Sequence, residues 1–207
     1  MKNLITLILL VFGASISAQT NYEKGMEKAF KLWGENNIIE ASQLFERIAK
    51  AEKEEWLPAY YVATIEILAS FGLKDEAVLN LKLKKAQEFL EEAKSISTNN
   101  PEIIINQALL NTAYIAFDGQ KYGMTLSGKN AALYQQALEL APNNPRVVLG
   151  KAEWDMGSAR FFGQSTEVYC KDVARALELF KTEELPKFYP NYGAKRAEEI
   201  LKQCGEN

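Results

Sequence analysis

The chain has 207 residues, 47% of them hydrophobic and 25% charged, with a formal net charge of −3. That is enough apolar material for one sizeable core or one stacked array, and both charge signs are interleaved, which excludes a disordered chain. The mildly acidic balance excludes a basic nucleic-acid footprint, and the lack of any histidine removes the commonest general base and metal ligand.

Residues 1–18 read as a Sec-type signal peptide. Lys2 supplies the positive start, Leu4 to Phe12 the apolar run, and Ala14 to Ala18 the small residues before a cut near Ala18–Gln19. The run is shorter than the ~20 residues that span a bilayer, and no cysteine follows it to take a lipid. The mature protein, residues 19–207, is expected to be periplasmic or secreted, with no membrane insertion after cleavage.

The rest of the chain carries a helical period. Ala41, Leu44, Phe45 and Ile48 lie at i, i+3, i+4 and i+7, one face of a 3.6-residue helix. Ala86, Phe89, Leu90 and Ala93 repeat the spacing, as do Asn130, Leu133, Tyr134 and Ala137, then Cys170, Val173, Ala174 and Leu177. These are second helices of hairpins whose first helices centre on the small residues Ala29, Ala63, Ala108 and Ala152. Asn99-Asn100-Pro101 and Asn143-Asn144-Pro145 mark two hairpin starts, because proline drives the residue before it out of the helical conformation. The predicted hairpins run at about 21–52, 56–97, 101–141 and 145–181. Ala197, Ile200, Leu201 and Cys204 give a capping helix over about 191–204, with the Pro186 and Pro190 segment as its linker.

From each second helix to the next first helix the anchor spacing is 22 residues in all three cases; within hairpins it is 12, 23, 22 and 18. A unit divided as 12 plus 22 resembles the tetratricopeptide repeat (TPR). The chain is also similar to a group of exported TPR-like proteins of Bacteroidetes, through Trp56-Leu57-Pro58-Ala59-Tyr60-Tyr61, Tyr122-Gly123, Leu126-Ser127-Gly128, Phe162-Gly163 and the Leu201…Cys204 ending. That likeness brings a compartment and a fold, and no activity. It implies an all-α, short right-handed superhelix of about four antiparallel hairpins plus a C-terminal cap.

The TPR resemblance also implies a concave groove lined by first helices. Its side chains would be Met26, Phe30 and Trp33; Tyr60, Thr64 and Ile67; Ile105, Leu109 and Thr112; and Leu149, Glu153 and Met156, with Arg146 one turn earlier. The extra residues of the longer hairpins fall between first and second helices, so they project from one edge of the stack as inserted loops. The second insertion, about Phe117 to Gly128, offers Tyr122 and Met124. The third, about Gly157 to Glu167, offers Phe161 and Phe162, which either tuck under the insertion as a satellite core, the favoured expectation, or present an exposed contact. The candidate binding set is therefore Phe30, Trp33, Tyr60, Thr64, Leu109, Tyr122, Arg146, Glu153 and Phe162.

Catalysis finds little support. Two cysteines make no zinc site, and Gly119, Gly123 and Gly128 are too spread to cradle a phosphate. Glu88, Glu91 and Glu92 alternate with Lys82, Lys84 and Lys85 as a solvated helix face; Glu153 and Asp155 flanking Trp154 are the nearest thing to an acid pair. No metal and no cofactor is expected. Cys170 and Cys204 sit on apolar faces of adjacent terminal helices, so a disulfide stapling the cap competes with two buried free thiols. The functional expectation is a non-enzymatic adaptor that binds a protein or peptide, not nucleic acid, through the groove or the insertions. The alternative is a periplasmic receptor for a small ligand or peptide.

Overall fold

The computed structural model describes residues 21–205, and every element among them is helical. The signal-peptide reading of residues 1–18 lies outside the described residues. Residues 21–34 form α1. It is followed by α2 (Ile38–Ala51), α3 (Trp56–Leu68), α4 (Glu76–Ile96), α5 (Pro101–Phe117), α6 (Gly119–Leu140), α7 (Pro145–Phe161), α8 (Cys170–Thr182) and α9 (Ala194–Gly205). Among the described residues the expectation of an all-α fold is met.

Helix starts follow capping chemistry. Asn100 and Asn144 sit at N-caps with proline next, and their side-chain oxygens accept from the Glu102 and Arg146 backbone N–H groups at 3.0 and 2.9 Å. Asp75 and Asp118 do the same for α4 and α6. Asn99, with φ +56°, makes the left-handed step in the turn between α4 and the Asn100 cap of α5.

The helices form two layers. Each helix from α2 to α9 packs on its sequence neighbour, and α5 also touches both α3 and α7. α1, α3, α5 and α7 thus lie side by side, and α9 packs on α8. The small anchors Ala29, Ala63, Ala108 and Ala152 are all buried where helices approach. Asn130 occupies the equivalent position on α6. It is buried, and its amide donates to the Ala108 carbonyl (3.0 Å) and the Thr112 hydroxyl (2.9 Å), fastening α6 to α5.

One helix has no solvent face. All residues from Trp56 to Ile67 of α3 are buried, including Glu66, as expected of a helix apolar all round. Glu66 is tolerated because Ser42 donates to it at 3.0 Å, Lys82 at 3.1 Å, and Lys85 lies at 3.2 Å. Burial raises its pKa, but the two lysines and the hydroxyl outweigh burial and hold it below the ordinary value.

Two segments depart from expectation. The second insertion is not a loop: Asp118 caps a helix at once, and residues through Gly128 are the opening turns of α6. Its glycines face open space, so they neither bend the helix nor make room for a neighbour. In the third insertion, Phe161 and Phe162 do not tuck. They are 78% and 71% exposed, ring against ring with centroids 5.1 Å apart.

Cys170 and Cys204 form a disulfide that joins the start of α8 to the end of α9. It closes a separation of 34 residues, which in the chain-entropy account contributes about 3–4 kcal/mol. Reduction and alkylation should lower the thermal midpoint by that equivalent, read by circular dichroism beside the mass shift of two blocked thiols. For Glu66, whose pKa is depressed in the fold, the stabilisation is complete above the unfolded carboxylate pKa and is lost as pH falls through the folded value. Glu66→Gln is therefore expected to lose about 1–3 kcal/mol at neutral pH, with the gap to wild type closing below about pH 4. Urea melts across that range check both signs.

Candidate functional site

The face made by α1 and the starts of α3, α5 and α7 is covered by the chain itself. Residues 183–193 run between α8 and α9 without regular structure. They leave the end of α8, cross the starts of α7, α5 and α3 to reach α1, and return. We call this segment the strap. The proline-bounded linker of the sequence reading thus packs against the first-helix residues that the expected groove would use.

The strap is held by side chains. Glu183 takes a two-pronged pair from Arg146, with Nη1 donating to Oε2 at 2.7 Å and Nη2 donating to Oε1. Lys187 reaches Glu23 and Glu27 of α1, each at 2.9 Å. The Phe188 ring lies parallel to Phe30 at 5.9 Å and edge-on to Tyr22 at 6.0 Å, and its carbonyl accepts from the Tyr61 hydroxyl at 2.6 Å. Tyr189 meets the Trp56 ring at 5.5 Å, and the Tyr192 and Tyr60 hydroxyls share a hydrogen bond of 2.9 Å. Aromatic pairs of this kind contribute about 0.5–1.5 kcal/mol each beyond their buried area.

Two backbone features shape its path. Phe188 has φ +66°, a left-handed conformation that a bulky residue adopts only under constraint, at a cost of order 1–3 kcal/mol. Gly193 has φ +116°, and a Cβ there would stand 2.6 Å from Phe180. Both conformation and space therefore require glycine where the strap turns into α9.

Arg146 is the charged centre. It is 3% exposed and lies between two carboxylates, Glu102 on α5 and Glu183 on the strap. Its Nε donates to Glu102 Oε1 at 2.8 Å, and the Asn144 amide reaches the same oxygen at 2.6 Å. Burial opposes the Arg146 charge, yet Glu183 and Glu102 together raise its pKa above the ordinary value. Glu102 goes the other way: burial pushes its carboxyl up against the pull of Arg146 and Asn144. Its Oε2 has no hydrogen-bond partner. Beside this cluster lies an open recess of about 440 Å³, lined by Asn100, Glu102, Asn144, Arg146, Glu183 and Tyr189. A narrower crevice of about 180 Å³ lies between α4, α5 and α6, beside Gln87 and Gln107.

The candidate residues divide into three groups. Phe30, Tyr60 and Arg146 come together along the strap and are engaged by it, with Trp33 stacked behind Phe30 at 6.4 Å. Thr64 and Leu109 belong to the packing beneath: the Thr64 hydroxyl donates to the Tyr60 carbonyl and accepts from Asn106. Glu153 pairs with Arg196 of α9 at 2.7 Å, while Asp155 pairs with Lys151. Tyr122 and Phe162 lie at the other end of the hairpins, where Tyr122 donates to Glu76 at 2.6 Å and its ring meets Tyr114. Exposed apolar side chains gather at those same helix junctions, among them Ile39, Leu68, Phe71, Val78, Met124 and Val168.

The sequence reading missed Trp56 and Tyr61 as groove residues, Glu102 and Glu183 as partners of Arg146, and the whole strap. One signal was present: Phe188, Tyr189 and Tyr192 crowd a short segment around Pro186 and Pro190. A solvated linker has no use for three aromatic rings.

No protein-family model matches the chain, and no curated protein matches it in sequence. In structure it is similar to the HusA haemophore from Porphyromonas gingivalis, with a TM-score of 0.77 and 23% sequence identity over 89% of this chain and 92% of that one. The two share a fold.

The Arg146 cluster sets an order of mutational cost. Arg146→Met removes the cation between the buried Glu102 and the half-buried Glu183 and should lose about 3–5 kcal/mol. Glu102→Gln keeps an acceptor for Arg146 and removes a carboxylate that burial disfavours, so it should lose under about 2 kcal/mol. Urea unfolding of the two variants checks the ranking.

Proposed function

We propose that this is an exported, non-enzymatic receptor or carrier for a small ligand, built on a TPR-like stack, with the face made by α1 and the starts of α3, α5 and α7 as its binding face. The observation that carries this reading is the strap. That face holds a non-helical segment by stacking rings, by pairing a carboxylate with a buried arginine, and by hydrogen-bonding a phenol. A groove with those three abilities suits a ring-bearing molecule with an acid group. The similarity in fold to a haemophore makes haem the first ligand of that class to test, and the disulfide fits an oxidising compartment.

The chemistry of the chain narrows how haem would be held. With no histidine, any contact to iron falls to tyrosine, methionine or carboxylate side chains. The tyrosines of the groove are poor phenolates: burial raises the pKa of Tyr60 and pushes Tyr192 up to about 12. Ring stacking and the Arg146 charge therefore carry the affinity, and iron adds little.

A second reading, an adaptor that binds a protein or peptide, rests on the exposed junction edge with Phe161 and Phe162 at its end. It predicts that Phe161→Ala/Phe162→Ala abolishes a complex with an envelope partner and leaves small-ligand binding intact.

Titration with haemin, followed by the Soret band and native mass spectrometry, should give a saturable complex of one haemin per chain. Metal-free protoporphyrin should bind within about tenfold of it, since iron ligation worth more than about 1.4 kcal/mol is not expected. Haemin spectra unchanged by the protein, with no small molecule retained on the exported protein, would contradict the receptor reading.

A further inference from the structure

We propose that the strap, residues 183–193, is a built-in stand-in for the ligand, and that a ring-bearing acid binds by displacing it: the acid group replaces Glu183 on Arg146, and the rings replace Phe188 and Tyr189 on Phe30, Tyr22 and Trp56. This rests on the receptor reading of the groove.

Four observations carry it. The strap's fastenings to the hairpins are side-chain contacts plus the Tyr61 bond to the Phe188 carbonyl; of its own backbone bonds, the turn bond from the Tyr189 N–H to the Pro186 carbonyl, 3.1 Å, is internal, and the Gly193 carbonyl accepts from the Ala197 N–H of α9 at 2.9 Å, at the tethered end. It can therefore leave without breaking a helix. Phe188, its central contact, sits in a left-handed conformation (φ +66°) that release would relax. Its two ends are fixed to α8 and α9, which the Cys170–Cys204 disulfide joins, so a displaced strap stays tethered and the stack stays intact. Finally, the recess of about 440 Å³ opens against Arg146, Glu183 and Tyr189. An entering acid group meets the charged anchor there before the rings have moved.

A strap that competes with ligand lowers the apparent affinity by the fraction of time the groove is free. Weakening the strap must then tighten binding, whereas a strap that forms one wall of the site would give the reverse. This difference in sign is the test. The probe is 1-anilinonaphthalene-8-sulfonate, two ring systems carrying one acid group, titrated by fluorescence into the full exported chain with its disulfide intact. Phe188→Ala should bind it about tenfold more tightly than wild type, with unchanged helical circular dichroism. Adding Arg146→Lys to that variant should remove the gain, because a lysine cannot give the two-pronged contact. If Phe188→Ala does not fold, Glu183→Gln loosens only the charged anchor and must tighten binding in the same direction.

Equal or weaker probe binding by the strap variants overturns the proposal. The same variants titrated with haemin separate the two readings. A gain with the probe and no haemin binding leaves displacement standing and removes haem as the ligand. Haemin binding of equal strength in wild type and both strap variants keeps the receptor and removes displacement.

Discussion

Helix α3 has no side fit for water, and much of the architecture follows from having to cover it. Its outer side is closed by α2 and α4, where Glu66 takes a hydroxyl and two lysines so that a carboxylate can stay buried and ionised. Its flank is closed by α5. What remains is the inner side, where Trp56, Tyr60 and Tyr61 would otherwise stand in solvent, and there the strap lies. Leaving three large rings wet is worth several kcal/mol, so the inner side always needs a cover.

The repeat supplies the charged anchor. Glu102 and Arg146 occupy the same place after the Asn-Pro start of neighbouring hairpins, 44 residues apart, and stacking brings the two positions into contact. One hairpin thus offers an acid and the next a base. Arg146 faces two carboxylates, its Nε on Glu102 and its two terminal nitrogens on Glu183, so the same side chain ties the stack to the strap.

Local features were legible and distant pairings were not. The Asn99–Pro101 and Asn143–Pro145 starts, the i, i+3, i+4, i+7 faces and the cysteine staple are short-range signals, and the helices and disulfide stand where those signals point. The insertion at 117–128 was misread because Gly119, Gly123 and Gly128 argued for a loop, while Asp118, a helix cap, argued for a start and prevailed. The TPR resemblance named Phe30, Tyr60 and Arg146 as groove candidates, and the structure places all three against the strap. Their partners were out of reach: Phe188 meets Phe30, and Glu183 meets Arg146, through a segment with no period, and no local rule pairs residues so far apart along the chain. Phe161 and Phe162 show a related limit. An aromatic pair in a turn reads as buried by composition, and only the absence of a neighbouring element leaves it exposed.

The central claim is that the strap opens as a local unit while the hairpins stay folded, and amide hydrogen exchange reads that opening directly. In the ligand-free protein, the amides of residues 184–192 should exchange faster than those of α3, through an opening that leaves α3 protected. Saturating haemin should speed strap exchange further while slowing none of it. Strap amides that exchange only with global unfolding, at the rate of α3, or that become protected when haemin binds, would contradict the account.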